Sequence, residues 1–273
     1  MNVHLVTVAG GCVDALPHML AHYRGLGIES FFINVQIPAA NDPLLDRVEE
    51  ISRRFGCRIA GVFVGEWLNG TNREIYKRTR ETWPDDWFVN ADQDELQLYP
   101  GDLLDILRDC DRRGYEYVEG CFLDRLARDG SFPAVSAQPS LWQQFPLAGF
   151  VSAPILQANP NKIVAAKGRV PLGGGQHYAL SGRGCPPEQL YIPVHHFKWI
   201  AGILDRLEAR ASFRRERGDP YWEESQRFVD YCRAHNGRLD VTDGSFYLSE
   251  ASPAYAGWEH VKRLSMELAR QLK

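Results

Sequence analysis

The chain reads as an α/β protein built on a mostly parallel sheet with helices on both faces. Two observations predict this. Over the first 125 residues, short runs rich in β-branched and aromatic residues alternate with stretches whose apolar residues recur at helical spacing. Crossovers of that length join parallel strands rather than hairpins. Past about residue 130 the alternation stops: residues 131–195 carry nine prolines and the run Gly173-Gly174-Gly175. This predicts irregular loops and a small mixed sheet, before helical periodicity returns at Trp199. The three parts, 1–125, 126–198 and 199–273, are expected to form one domain, since no clean linker, internal repeat or low-complexity tract separates them.

Each element follows from its pattern. "VHLVTVA" is the first strand, and Val13, Leu16, Leu20 and Tyr23 mark a helix that Gly25 and Gly27 close. "SFFINV" is the second strand, followed by a helix over Pro43–Arg54 with Leu44, Leu45, Val48 and Ile51 on one side. "CRIAGVFV", "DWFVNA" and "YEYVEGCFLD" supply further strands, with "NREIYKRTRETW" and "GDLLDILRDCDRRG" as the helices between them. "NKIVAA" and "LYIPVHHF" are the strand candidates of the proline-rich part. In the last part, Ile200, Ile203, Leu204 and Leu207 form one apolar stripe, and Val261, Leu264, Leu268 and Leu272 another.

Composition narrows the function. The chain has 273 residues, 31 basic and 35 acidic, for a net charge of −4, which argues against nucleic acid as a partner. No apolar run approaches the roughly 18 residues that a membrane span requires. The opening "MNVHLVTVAGG" has no basic region followed by a long apolar one, so a cytoplasmic protein is expected. Six cysteines, at 12, 57, 110, 121, 185 and 232, include no Cys-x-x-Cys pair, which predicts reduced core thiols.

One stretch points to chemistry. "WFVNADQDELQLYPG" runs from a buried strand directly into Asp92, Asp94 and Glu95. Like charges gathered at one spot are unfavourable unless a cation neutralises them. In an extended segment, Asp92 and Asp94 would share a face and could meet one ion. Oxygen donors of this kind suit Mg²⁺ or Mn²⁺, ions that also bind diphosphates. Right-handed crossovers would place this strand end on the edge where such sheets hold ligands.

At this point the chain resembles the GT-A fold, a Rossmann-like fold of nucleotide-sugar-dependent glycosyltransferases. It is most similar to the family 2-like group with a W-x-x-x-x-D-x-D-E signature, here Trp87 through Glu95. The opening "VTVAGGCVDALPHMLAHYRGLGIESFFI", the segment "NKIVAAKGRVPLGGGQHYAL" and the element "VHHFKW" also look like the group's, in the same order. The segment after the second strand, "NVQIPAAND", departs from the pattern, and no donor contact is assigned there.

The resemblance implies a nucleotide-binding half over 1–125, an acceptor-side half over 126–198 and C-terminal helices. It implies transfer of a sugar, with inversion, from a nucleotide diphosphate sugar of the UDP type to a hydroxyl of a carbohydrate or small molecule. Val8, Ala9 and Gly10 would border the base, and Asn72 and Arg73 would reach the base or ribose. Asp94 would bind Mn²⁺ or Mg²⁺ directly, and Asp92 the ribose or the ion's waters. Glu95 would orient the loop. His196 would complete the coordination or bind the leaving diphosphate. Lys162, Lys167 and Lys198 are the cations for phosphate.

Inversion requires a base. Asp124, ending its strand among few other carboxylates, is the first candidate, against a structural ion pair with Arg125 or Arg128; His177 is the second. A strand puts adjacent side chains on opposite faces, so His195 should face the core where His196 faces the site. His18 and His22 lie one helical turn apart, a spacing that can bind metal, but with no carboxylate between them they read as surface or interface residues. Two other classes share such a pocket: a nucleotidyltransferase making sugar nucleotides, which would want a basic glycine-rich loop where this chain has "AGGCVDALP", and a non-catalytic sugar-nucleotide-binding module.

Overall fold

The computed structural model describes residues 1–68, 70–250 and 258–271. The chain begins β1 (Val3–Gly10), α1 (Leu16–Gly25), β2 (Ser30–Ile37), α2 (Leu44–Phe55), β3 (Arg58–Val64), α3 (Thr71–Arg80) and β4 (Trp87–Asn90). There follow β5 (Glu95–Gln97), α4 (Leu103–Arg112), β6 (Tyr117–Leu126), α5 (Leu141–Gln144), β7 (Leu147–Gly149) and α6 (Ser152–Leu156). The last elements are β8 (Asn161–Lys167), β9 (Ile192–His196), α7 (Ile203–Glu216), α8 (Trp222–Ala234), β10 (Ser249–Glu250) and α9 (Trp258–Gln271). Two compact units divide the chain: Met1–Cys121 with Asn161–Val194, and Phe122–Pro160 with His195–Lys273.

In the first unit the strands lie in the order β6-β8-β4-β1-β2-β3. β3, β2, β1 and β4 are mutually parallel, whereas β8 runs antiparallel to both β4 and β6. The mostly parallel α/β sheet expected from the sequence is therefore present. β1 and β2 are buried almost throughout, because helices cover both faces of an inner parallel strand. β3, at the sheet edge, alternates between exposed and half-buried residues. Gly120 of β6 is required by close approach: a Cβ there would stand 2.1 Å from the carbonyl oxygen of Ile192.

Two features differ from the sequence expectation. "NKIVAA" lies within the central sheet, as β8, rather than in a separate one. Its unbroken burial from Lys162 to Ala166 is the mark of an inner strand, not of a half-solvated one. The residues after the acidic run also form a strand, β5, which pairs with β9.

The second unit holds a small antiparallel sheet in which β7 pairs with the end of β6 and with β10. Its core joins Leu126, Val151, Trp199, Leu207, Phe228 and Phe246, with the Trp199 and Phe228 rings stacked 4.1 Å apart. Val261, Leu264 and Leu268 of α9 pack with Leu123, Ala148 and Phe150; Leu272, expected on the same stripe, lies outside the described residues. The six cysteines are free thiols, four of them buried. No helix among the described residues is long and apolar enough to cross a membrane.

Candidate functional site

The first unit carries the acidic segment at its topological switch point. β1 has β2 and β3 on one side and β4 on the other, and the C-terminal ends of β1 and β4 flank the place where sheets of this kind hold ligands. β4 ends at Asn90, and Asp92 through Glu95 then make a turn closed by the Glu95 N–H donating to the Asp92 carbonyl at 3.1 Å. The extended geometry expected for Asp92 and Asp94 is thus replaced by a turn, and strand alternation does not govern them. What fixes the turn is Gln93. Its carboxamide donates to the Gly10 carbonyl at 2.7 Å and accepts from the Gly10 N–H at 3.2 Å. That two-point clamp ties the turn to the end of β1.

Part of the charge is offset from within. Lys162, fully buried on β8, donates to Asp92 Oδ2 at 3.1 Å and to Glu95 Oε1 at 2.9 Å. Glu95, also fully buried, accepts the Asp92 N–H on Oε2 at 3.0 Å, and so holds the loop as expected. The hydroxyl of Tyr76, from α3, lies 2.8 Å from Asp92 Oδ1. Burial works against ionisation of Asp92, but the Lys162 ammonium, helped by the Glu95 and Tyr76 contacts, holds its carboxyl down at about 2. Lys162 is likewise opposed by burial, and Asp92 and Glu95 raise its pKa above the usual lysine value. Expected to face phosphate, Lys162 is instead the buried cation of this turn, and Lys167 pairs with Asp111.

A metal ion has a restricted donor set here. Among the described residues no group of three or more His, Cys, Asp and Glu side chains could hold an ion by itself. Mg²⁺ and Mn²⁺ bound through a diphosphate need less: one or two carboxylates, with water and phosphate oxygens completing the shell. Half-buried Asp94, with Asp92 two residues away, fits that smaller requirement.

The other expected residues of the first unit divide. Val8 and Ala9 are buried at the end of β1, beside Gly10. Asn72 opens α3 with its side-chain oxygen buried and lacking a hydrogen-bond partner among the described residues. Arg73 is exposed and pairs with its neighbour Glu74. The His177 ring Nδ1 lies 2.7 Å from the Asn161 carbonyl, and Asn161 Nδ2 donates back to the His177 carbonyl at 2.8 Å. Because a carbonyl only accepts, Nδ1 carries a proton, and in the neutral ring the lone pair falls to Nε2. His22 is half-buried: its Nε2 meets the Gln97 carbonyl at 2.8 Å, and burial pushes its pKa down. Two cavities of this unit, of about 350 and 300 Å³, are lined by other residues, among them Cys110, Arg113 and Cys185 in the first and Asn34, Arg58 and Trp83 in the second.

Asp124, His196 and Lys198 belong to the second unit. Asp124 is 1% exposed and accepts from the Ser152 N–H at 2.6 Å, the Ser152 hydroxyl at 2.9 Å and Trp199 Nε1 at 3.1 Å. These partners replace the expected ion pair with Arg125 or Arg128. Arg125 donates to the Phe145 carbonyl at 2.9 Å, its guanidinium lying over the Trp142 ring, and Arg128 pairs with Glu250. His196 turns Nδ1 toward Asp124 at 3.6 Å, an electrostatic contact rather than a hydrogen bond. Burial tends to raise the Asp124 pKa, but the facing His196 ring, the Ser152 N–H and the Lys198 charge keep it below the usual carboxylate range. His195 is fully buried, edge-on to Trp142, whereas His196 is half-buried, as strand alternation requires. Lys198 places its ammonium 4.9 Å from the Trp199 ring centroid.

Sequence reasoning passed over Gln93, Tyr76, Ser152 and Trp199. Gln93 had a local signal, since a long amide between two aspartates is poorly explained as a ligand. Tyr76, Ser152 and Trp199 act on residues 16, 28 and 75 positions away, and nothing local marks them.

No family model and no curated protein matches the chain. Among solved structures it is similar to HddC from Yersinia pseudotuberculosis, at 10% identity over 48% of this chain and 64% of that one, with a TM-score of 0.30. It is similar to residues 1–349 of S. aureus TarS at 11% identity over 90% and 77%, with a TM-score of 0.38. A 4-diphosphocytidyl-2C-methyl-D-erythritol synthase from Anaerococcus prevotii shares 11% identity over 62% and 72%, with a TM-score of 0.34. The chain spans less than two thirds of HddC, and 45% of a longer S. aureus TarS structure. Likenesses at these scores carry no inference about activity.

Proposed function

We propose that the chain is a metal-dependent glycosyltransferase that moves a sugar from a nucleotide diphosphate sugar, of the UDP type, to a hydroxyl acceptor. One observation carries the reading: an acidic turn at the switch point of a parallel sheet, clamped to the end of β1 by Gln93 and braced by a buried lysine that offsets only part of its charge. Such rigidity is what a site for a highly charged ligand needs, because donors fixed in advance do not have to reorganise when charge develops. The W-x-x-x-x-D-x-D-E resemblance points the same way.

In this reading the ends of β1 and α3 border the nucleotide, through Val8, Ala9, Gly10 and Asn72. Asp94, with Asp92 beside it, would hold Mn²⁺ or Mg²⁺. The chemistry a bound ion supplies is neutralisation of the departing diphosphate. Lys162 and Tyr76 keep Asp92 ionised and in place. For the acceptor proton the geometry favours His177 over Asp124: a base must reach the substrate and have a lone pair, and the Asn161 carbonyl sets that lone pair on His177 Nε2. Asp124 is enclosed by three protein donors and held ionised, which suits it to fixing Trp199, Ser152 and the His196 ring. A ligating or phosphate-binding histidine commonly has its other nitrogen turned to such a carboxylate.

The test is incubation with Mn²⁺ and a panel of nucleotide sugars with hydroxyl acceptors, following nucleoside diphosphate release. Release that depends on Mn²⁺ is the expected result. Release of pyrophosphate from a sugar phosphate and a nucleoside triphosphate would make the chain a nucleotidyltransferase instead. Binding without turnover across the panel would leave a sugar-nucleotide-binding module.

A further inference from the structure

Gln176 bears two structural costs at once. Its side chain is 1% exposed, yet neither its Nε2 nor its Oε1 has a hydrogen-bond partner among the described residues. Its backbone is left-handed, with φ 56°, a conformation that glycine adopts freely and a glutamine does not. A buried carboxamide with both ends unpaired is destabilising, and so is that backbone. Apolar burial alone would be better met by leucine or methionine, and the turn alone by glycine. A glutamine here answers neither need.

Its surroundings say where the carboxamide could act. The loop Leu172–Ala179 is closed at its base by an antiparallel bridge between those two residues and by the Gly173 N–H donating to the Tyr178 carbonyl at 2.9 Å. The reciprocal Asn161–His177 bonds anchor it to β8. The turn Gly174–Gln176 packs on α3 and β8, the two elements whose Tyr76 and Lys162 hold Asp92. A second oxygen without a partner among the described residues, Asn72 Oδ1, belongs to the first turn of α3. Among the described residues, unpaired donor and acceptor capacity thus lies at Gln176 and at the start of α3.

We infer that Gln176 is a recognition element for the donor, its carboxamide pairing with a polar edge that presents a hydrogen-bond donor beside an acceptor. This rests on the function proposed above and goes beyond it by naming a residue that selects the ligand. Two parts of a nucleotide sugar present such an edge: the amide-like face of the base and the vicinal hydroxyls of the sugar.

The experiment is calorimetry in Mn²⁺ with UDP, GDP, ADP, CDP and TDP, and then with the glucose ester of whichever diphosphate binds, on the wild type, Gln176→Met and Gln176→Gly. Methionine removes the polar atoms at nearly constant volume, and glycine suits the left-handed backbone should methionine not fold. Gln176→Met should melt no lower than the wild type, because an unpaired amide has been removed; in Gln176→Gly the relief of the strained φ is set against the cavity left behind, so the melting criterion is read on the methionine variant. Affinity should fall at least tenfold, about 1.4 kcal/mol. A loss already present with the nucleoside diphosphate assigns the edge to the base. A loss confined to the glucose ester assigns it to the sugar. Affinities within twofold of a wild type that does bind overturn the role of Gln176 alone. A lowered melting temperature with uniform loss of binding overturns it too, in favour of a structural role. A wild type that binds none of the probes overturns the proposed function and this inference together.

Discussion

Replacing Lys162 with methionine tests the charge balance of the acidic turn. The ammonium stands 3.1 Å from Asp92 Oδ2 and 2.9 Å from Glu95 Oε1. At an effective dielectric constant near 20, each contact is worth about 5 kcal/mol before desolvation is subtracted. Withdrawing a lysine from water costs several kcal/mol, so the native pair is only modestly stabilising as a whole. Removing one partner is different, because the desolvated carboxylates remain. Lys162→Met should therefore cost about 3–5 kcal/mol. For a unit of this size that is a drop of about 6–20 °C in melting temperature, at about 2–4 °C per kcal/mol. Thermal unfolding followed by circular dichroism measures it.

The pH dependence has a definite sign. Asp92 is depressed from an ordinary 3.8 to about 2, so its contribution is fully present above about pH 5 and is lost as pH falls from there toward 2. In the variant that depression is largely gone. The gap between wild type and Lys162→Met should be full at pH 7 and close on acidification. Lys162 itself is raised, so its side of the balance persists up to the ordinary lysine range and fails only above it. The double variant Lys162→Met/Glu95→Gln should recover part of the lost stability, since one stranded charge has been removed with its partner. A single-variant drop under about 3 °C, or a double variant no more stable than the single, would refute the balance described here.

Three further predictions concern the proposed chemistry. Asp94→Asn should lower Mn²⁺-dependent affinity for the nucleoside diphosphate at least tenfold, about 1.4 kcal/mol, with the melting temperature unchanged; unaltered affinity by calorimetry would remove Asp94 from the metal. His177→Ala should bind donor normally and lose about 10²–10⁴ in transfer rate, whereas Asp124→Asn should lose about 1–3 kcal/mol of stability in denaturant unfolding. The reverse pattern would return the base role to Asp124. His195→Ala should chiefly destabilise, by about 2–4 kcal/mol as for other core truncations, and His196→Ala should chiefly slow turnover; equal turnover losses with unchanged melting would break the alternation argument.

The parallel sheet was legible because each of its strands announces itself locally. β1, β2 and β4 are runs of apolar and β-branched residues bounded by turns, and the helices between them carry their own period. β5 was not legible, because "ELQ" has no apolar alternation and is made a strand by pairing with β9, almost a hundred positions on. The position of β8 had a signal that was misweighted. "NKIVAAK" holds five consecutive buried residues, and a lysine opening that run looks like a solvent marker unless its partners are known.

Lys162 shows why the site was only half readable. An acidic run demands a counter-charge, and local sequence cannot distinguish a metal from a lysine arriving 70 residues later. The structure supplies the lysine, yet this does not make the metal superfluous. Asp92, Asp94 and Glu95 carry three negative charges to the one positive charge of Lys162, so these four groups still sum to −2. Lys162 lies between Asp92 and Glu95, the two carboxylates that shape the turn, while Asp94 is half-buried in the same turn. A lysine that braces the turn and a dication shared with a diphosphate would thus serve different carboxylates. If so, the two should be separable: Lys162→Met should destabilise the fold whether or not Mn²⁺ is added, and Asp94→Asn should alter the response to Mn²⁺ without altering the fold.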